Sequence, residues 1–150
     1  MSEFGFTKAS KETLAIRDAL AERVIQALQR AGVPAAREGE SLAEGWTGAS
    51  VSVQPDAELA SAPVSVSWQC DPEMVRRAVD ALTSGDQQAP IVRYPGIMGL
   101  HMQTALVKIL LSSGVIATIG NDVMNPEHVL VFGSFADLPL PLRPTFGVSP

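Results

Sequence analysis

Residues 49–70 read ASVSVQPDAELASAPVSVSWQC. Ala49, Val51 and Val53 alternate with Ser50, Ser52 and Gln54. After the linker 55–63, Val64, Val66, Trp68 and Cys70 alternate with Ser65, Ser67 and Gln69. Successive strand side chains point to opposite sides of a sheet, so this period-two pattern predicts two strands that each bury one face and wet the other. The linker is long for a tight hairpin and suits an antiparallel pair joined by a loose loop.

Upstream, Ser10 is placed to cap a helix over residues 11–31. Ile16, Leu20, Val24 and Leu28 recur every fourth residue, while Arg17, Asp18, Glu22, Gln26 and Gln29 populate the other side. That spacing predicts an amphipathic helix with one buried stripe. Gly32 can adopt the left-handed conformation that ends a helix, and Pro34 blocks continuation. Residues 35–48 read as a polar connection in which Trp46 is the one large apolar side chain.

Downstream, Asp71-Pro72-Glu73 is a helix start. Asp71 can accept a backbone N–H, Pro72 sits where no N–H is needed, and Glu73 faces the positive end of the helix dipole. Val75, Ala78, Val79 and Leu82 form the expected inner face. A third helix is expected from Gly96 or Ile97 to Ser113, closed by Gly114. It is more apolar than the first helix, with a narrow polar strip of His101, Thr104, Lys108 and Ser112, which predicts burial on most sides. Two more strands follow, 115–119 and 129–132, the second apolar throughout and so expected to be covered on both faces. The order α-β-β-α-α-β-β predicts a single α+β domain over 1–150: a mainly antiparallel sheet of about four strands with helices on one face. Extended arms are expected at 1–9 and 137–150, the second because prolines alternate with bulky residues from Leu138 to Pro144.

The chain has 150 residues, a length usual for one domain. Its net charge is −5 and its isoelectric point about 4.9. Nucleic-acid binders draw affinity from clustered Lys and Arg, whereas here Arg76 and Arg77, the densest basic pair, are flanked by Glu73 and Asp80. Direct nucleic-acid or membrane contact is not expected. The first residues lack the basic and apolar regions of a signal peptide, no stretch reaches membrane-spanning length, and a lone cysteine permits no internal disulfide. A cytoplasmic protein is expected. Charged residues make up 18%, below the ~25% of an average domain. Thin charge favours association, since fewer charges lose water when surfaces meet.

No run of residues amounts to a catalytic signature. Cys70 continues the inward face of its strand and has the negative Asp71 beside it, so it reads as a small buried hydrophobe rather than a nucleophile. His101 and His128 lie in separate elements, without metal-ligand spacing to each other or to Cys70. Gly96 and Gly99 lack the lysine of a phosphate-binding loop. No cofactor or metal is expected. The reading that follows is a non-enzymatic interaction or structural subunit of a homo-oligomer or larger assembly. Its candidate interface is Phe4, Phe6, Leu138, Leu140, Leu142 and Phe146. The alternative is a small-molecule-binding protein or small enzyme with a pocket from Trp46, Trp68, Cys70, Tyr94 and His101.

Overall fold

The computed structural model describes residues 7–40, 42–59, 61–120 and 127–142. In chain order the elements are α1 (Lys11–Arg30), β1 (Ala35–Arg37), β2 (Gly48–Val53), β3 (Val64–Gln69), α2 (Pro72–Thr83), a 3-10 turn (Pro90–Arg93), α3 (Tyr94–Ser112), β4 (Val115–Ile119) and β5 (Val129–Ser134). Short 3-10 turns follow at Phe135–Asp137 and Leu140–Leu142. Two predicted helix starts are present: the Ser10 hydroxyl accepts the Thr13 N–H, and the Asp71 carboxylate accepts the Glu73 N–H; α3 starts at Tyr94, ahead of the expected Gly96 or Ile97. Gly114, at φ 83°, turns the chain out of α3 into β4.

The strands form one five-stranded mixed sheet in the order β1-β2-β3-β5-β4. β2 and β3 pair antiparallel, with Val51 opposite Val66 and Val53 opposite Val64, and β5 joins β3 and β4 antiparallel. The expected α+β class fits, and the expected mainly antiparallel sheet of about four strands is corrected to a mixed sheet of five, because β1 lies parallel to β2 at one edge. Three residues are too few to show a period, so this strand is invisible in the sequence pattern. Gly48 makes it fit: a Cβ there would sit 2.5 Å from the Pro34 carbonyl oxygen, which accepts the Ala49 N–H at 2.8 Å.

α1 and α3 pack together on one face of the sheet. Val24, Leu28, Leu106 and Leu110 close over Val51, Val64, Val66, Val115, Val129 and Val131, all within 1% of full burial. The other face carries Ser50 opposite Ser67 and Ser52 opposite Ser65. β5 is consequently not covered on both sides, and Phe132 is half exposed.

The stripe of α1 is also corrected. Arg17, Ala21, Val24, Ile25 and Leu28 are buried, whereas Ile16 is 72% exposed. At 100° per residue a strict fourth-residue row drifts, placing Ile16 about 120° from Leu28, while Arg17 stays within about 20° of it. Arg17 lies inside because its guanidinium donates to the carbonyls of Gln54 and Asp56, both at 2.7 Å, in the β2–β3 connection. The same connection pairs with the chain before α1: Ala9 donates to Pro55 and Ala57 to Thr7. The described end of the N-terminal arm thus docks on its own subunit. α3 repeats the device with Gln103, 4% exposed, whose side-chain amide donates to the His128 carbonyl at 2.9 Å.

Candidate functional site

The C-terminal end of β3 delivers Trp68 and Cys70 to the start of α2 and the first turns of α3. With Val75, Gly99, Leu100 and Glu127 they line an open recess of about 470 Å³. The structure thus brings together two of the five expected pocket residues. Tyr94 is half-buried at the start of α3 but does not line the recess. Trp46 stands against Gly48, where its carbonyl accepts the Gln69 side-chain amide at 3.3 Å. His101 faces solvent on the same strip as Thr104 and Lys108.

Burial pushes the Cys70 thiol above its ordinary pKa; the backbone hydrogen bond at Asp71 pulls the other way, and the Asp71 charge adds to the rise. A raised pKa keeps the group a thiol at neutral pH, and the thiolate is the nucleophile. Among the described residues, no group of three or more His, Cys, Asp or Glu side chains is placed to hold a metal ion.

The more pronounced feature is apolar surface beside this recess. Val75, Ala78, Val79 and Leu82 were the expected inner face of α2, yet only Ala78 is buried. Val75, Val79 and Leu82 are 38%, 53% and 48% exposed, and Ile97 and Leu100 of α3 are about half exposed. α2 leans on the 3-10 turn and on α3 through its Ala78 side, leaving the neighbouring stripe uncovered. The expectation that α3 is buried on most sides holds only from Gln103 onward.

The solvent side of α2 is fully charged. Arg76 donates to Glu73 and to Asp80, and Arg77 donates to Glu73. These pairs hold the Glu73 carboxyl below and the Arg76 guanidinium above their ordinary values.

Further depressions lie elsewhere. Ile16 and Leu20 of α1 face Pro63 and Phe132 across a groove of about 450 Å³, with Arg23 and Asp137 at its rim. On the open face of the sheet, Ser52, Gln54, Ser61, Ser65 and His128 line a recess of about 580 Å³. Sequence reading missed these two, because the first needs the rotation of α1 and the second needs Pro55, Ser61 and Ala62 brought beside Leu130 of β5.

Of the candidate interface residues, Leu138 is half-buried and Leu142 is 67% exposed. Phe4, Phe6, Phe146 and the side chain of Leu140 lie outside the described residues. The expected extended run is broken at its described end, where the Leu142 N–H bonds the Pro139 carbonyl and closes a 3-10 turn.

The fold and its surface define a two-layer α+β protein with a closed core and an open apolar face. No helix among the described residues is long and apolar enough to cross a membrane. Comparison with protein-family models, with curated proteins and with solved structures returned no match.

Proposed function

We propose that this chain is a non-enzymatic interaction subunit of a cytoplasmic homo-oligomer or larger assembly. The observation that carries the reading is the uncovered stripe of Val75, Val79 and Leu82, continued by Leu100. Fully burying such a side chain is worth about 1.5–3 kcal/mol, so leaving several half in water is a standing incentive to associate. Isolated exposed apolar residues are ordinary, but a contiguous row with a polar rim marks a contact surface. The test is the size of the native species in an extract of its own cells, read by sedimentation with an antibody to the chain. A discrete species heavier than the 15.9 kDa chain is the expected result. Sedimentation as a lone chain overturns the reading.

A second reading, a small-molecule binder, draws on the recess lined by Ser52, Gln54, Ser61, Ser65 and His128. Convergent polar groups in a concavity of this size are what a polar ligand needs. Ligand-dependent melting of purified chain, abolished by Ser65→Leu, is the outcome that favours it over association.

A further inference from the structure

Resting on the small-molecule reading above, we propose that the recess on the open face of the sheet binds a neutral polyhydroxylated molecule, a mono- or disaccharide in size. Its floor is a row across three strands: Ser52 of β2 pairs with Ser65 of β3, and Ser65 pairs with Leu130 of β5. Residues directly opposite on antiparallel strands hold their Cβ atoms about 4.5–5.5 Å apart, so the sheet fixes the spacing of the two serines. Gln54 and His128 each stand two residues along the chain from this row, and period-two alternation returns them to the same face. They extend the row in opposite directions: the Gln54 N–H donates to the Pro63 carbonyl ahead of β3, whereas His128 precedes Val129, the partner of Val66. Ser61 adds a third hydroxyl from the linker. Gly120 closes one end, its N–H donating to the His128 carbonyl at 2.9 Å, an approach that a Cβ would obstruct.

Elsewhere the chain ties polar side chains that leave solvent to its own backbone: Arg17, Thr47, Gln103 and Ser134 each donate to a main-chain carbonyl. Among the described residues, the side chains of Ser52, Gln54, Ser61, Ser65 and His128 have no hydrogen-bond partner, and none of their polar atoms is sealed in the core. Three hydroxyls, an amide and an imidazole therefore face one concavity, and each can both donate and accept. Sugar hydroxyls have the same double capacity, so every such contact can be satisfied from either side. No Lys, Arg, Asp or Glu among the described residues lines the recess, and an ion entering it would lose water without gaining a counter-charge. No Phe, Tyr or Trp among them lines it, which withholds the stacking face that favours a nucleobase. Leu130, Pro55 and Ala62 supply apolar surface for the C–H side of a sugar ring. The volume of about 580 Å³ falls within the roughly 300–1,000 Å³ of small-molecule sites. A small ligand in an open recess places the dissociation constant on the order of 1 mM.

The experiment is titration of the full purified, isotope-labelled chain, read from amide chemical shifts, which also report that each variant is folded. The neutral probes are glucose, galactose, mannose, maltose, sucrose and myo-inositol, taken to about 50 mM, with glucuronate and glucosamine as charged counterparts. At least one neutral probe is expected to shift the amides of 52–54, 65 and 128–130 saturably, and to bind about tenfold more tightly than either charged sugar. Ser52→Ala and Ser65→Ala each remove one hydroxyl and are each expected to weaken that binding about fivefold to tenfold. Ser67→Ala, on the same face of β3 but outside the recess, is expected to leave it unchanged. Tighter binding of a charged sugar, or equal shifts in wild type and Ser65→Ala, overturns the proposal. If the recess amides ignore all the neutral probes yet respond to a set of charged and aromatic fragments, the polyol class falls and the small-molecule reading stands. If they respond to neither set, both fall.

Discussion

α1 and α2 both begin at a side-chain cap, Ser10 in one and Asp71 in the other, and both carry apolar side chains at three- and four-residue spacing. α2 separates its apolar and charged sides more sharply than α1, yet α1 buries Val24 and Leu28 completely while α2 buries only Ala78. α1 lies across β1, β2 and β3 and against α3, whereas α2 meets the 3-10 turn and one side of α3. The contrast teaches that an apolar stripe states a demand for cover and that topology decides whether the same chain supplies it. α1 also buries a guanidinium, because the β2–β3 connection offers it carbonyls in fixed positions.

The contrast can be broken most forcefully by truncation. Leu28→Ala leaves a cavity under the sheet and is expected to cost about 3 kcal/mol, lowering the melting temperature by roughly 6–12 °C. Leu82→Ala, the matching change on α2, is expected to cost under about 0.5 kcal/mol in dilute solution. Equal losses in denaturant titrations would erase the distinction between the two helices. Next in size, Arg17→Met keeps the apolar stem but leaves the Gln54 and Asp56 carbonyls without their donor. It is expected to cost about 2 kcal/mol and to speed amide exchange at Ala9 and Ala57, whose pairing belongs to the same connection.

Much of this fold was legible in the sequence, and the losses have physical causes. The alternation over 49–54 and 64–69 placed β2 and β3, and Ser10, Asp71-Pro72 and Gly114 marked helix ends through local hydrogen bonding that needs no tertiary context. β1 was hidden because its three residues owe their pairing to the close approach of Gly48 to Pro34. Arg17 and Gln103 were assigned to solvent or passed over by residue type, although each lies on a row spaced by four and three residues that ends in buried leucines: Arg17, Ala21, Val24, Leu28 and Gly99, Gln103, Leu106, Leu110. Such a row holds its face better than the strict fourth-residue row through Ile16, so spacing outranked polarity at both positions. For the candidate site, only Trp68 and Cys70 were placed together. The open stripe of α2 was read as an inner face, since the sequence records amphipathicity and not which surface covers it.

The helix caps sharpen the comparison at smaller scale. Ser10→Ala is expected to lower global stability by about 1 kcal/mol, because α1 unfolds only with the core. Asp71→Ala is expected to appear mainly as faster amide exchange over 73–76, with a smaller global loss, because α2 can open by itself. The smallest effect concerns pH. Glu73, held below its ordinary value of 4.5 by Arg76 and Arg77, contributes to α2 above that value and loses the contribution as pH falls through its folded pKa. α2 is therefore expected to loosen before α1 on acidification, and Glu73→Gln to remove that pH dependence, both read from amide chemical shifts.

Hydrogen–deuterium exchange of the wild-type chain at about 1 and 300 µM bears most directly on the proposal that the α2 stripe is a contact surface of a homo-oligomer. Amides of 75–82 are expected to exchange more slowly at the higher concentration, with those of 21–28 unchanged. Exchange in α2 that does not respond to concentration would contradict it.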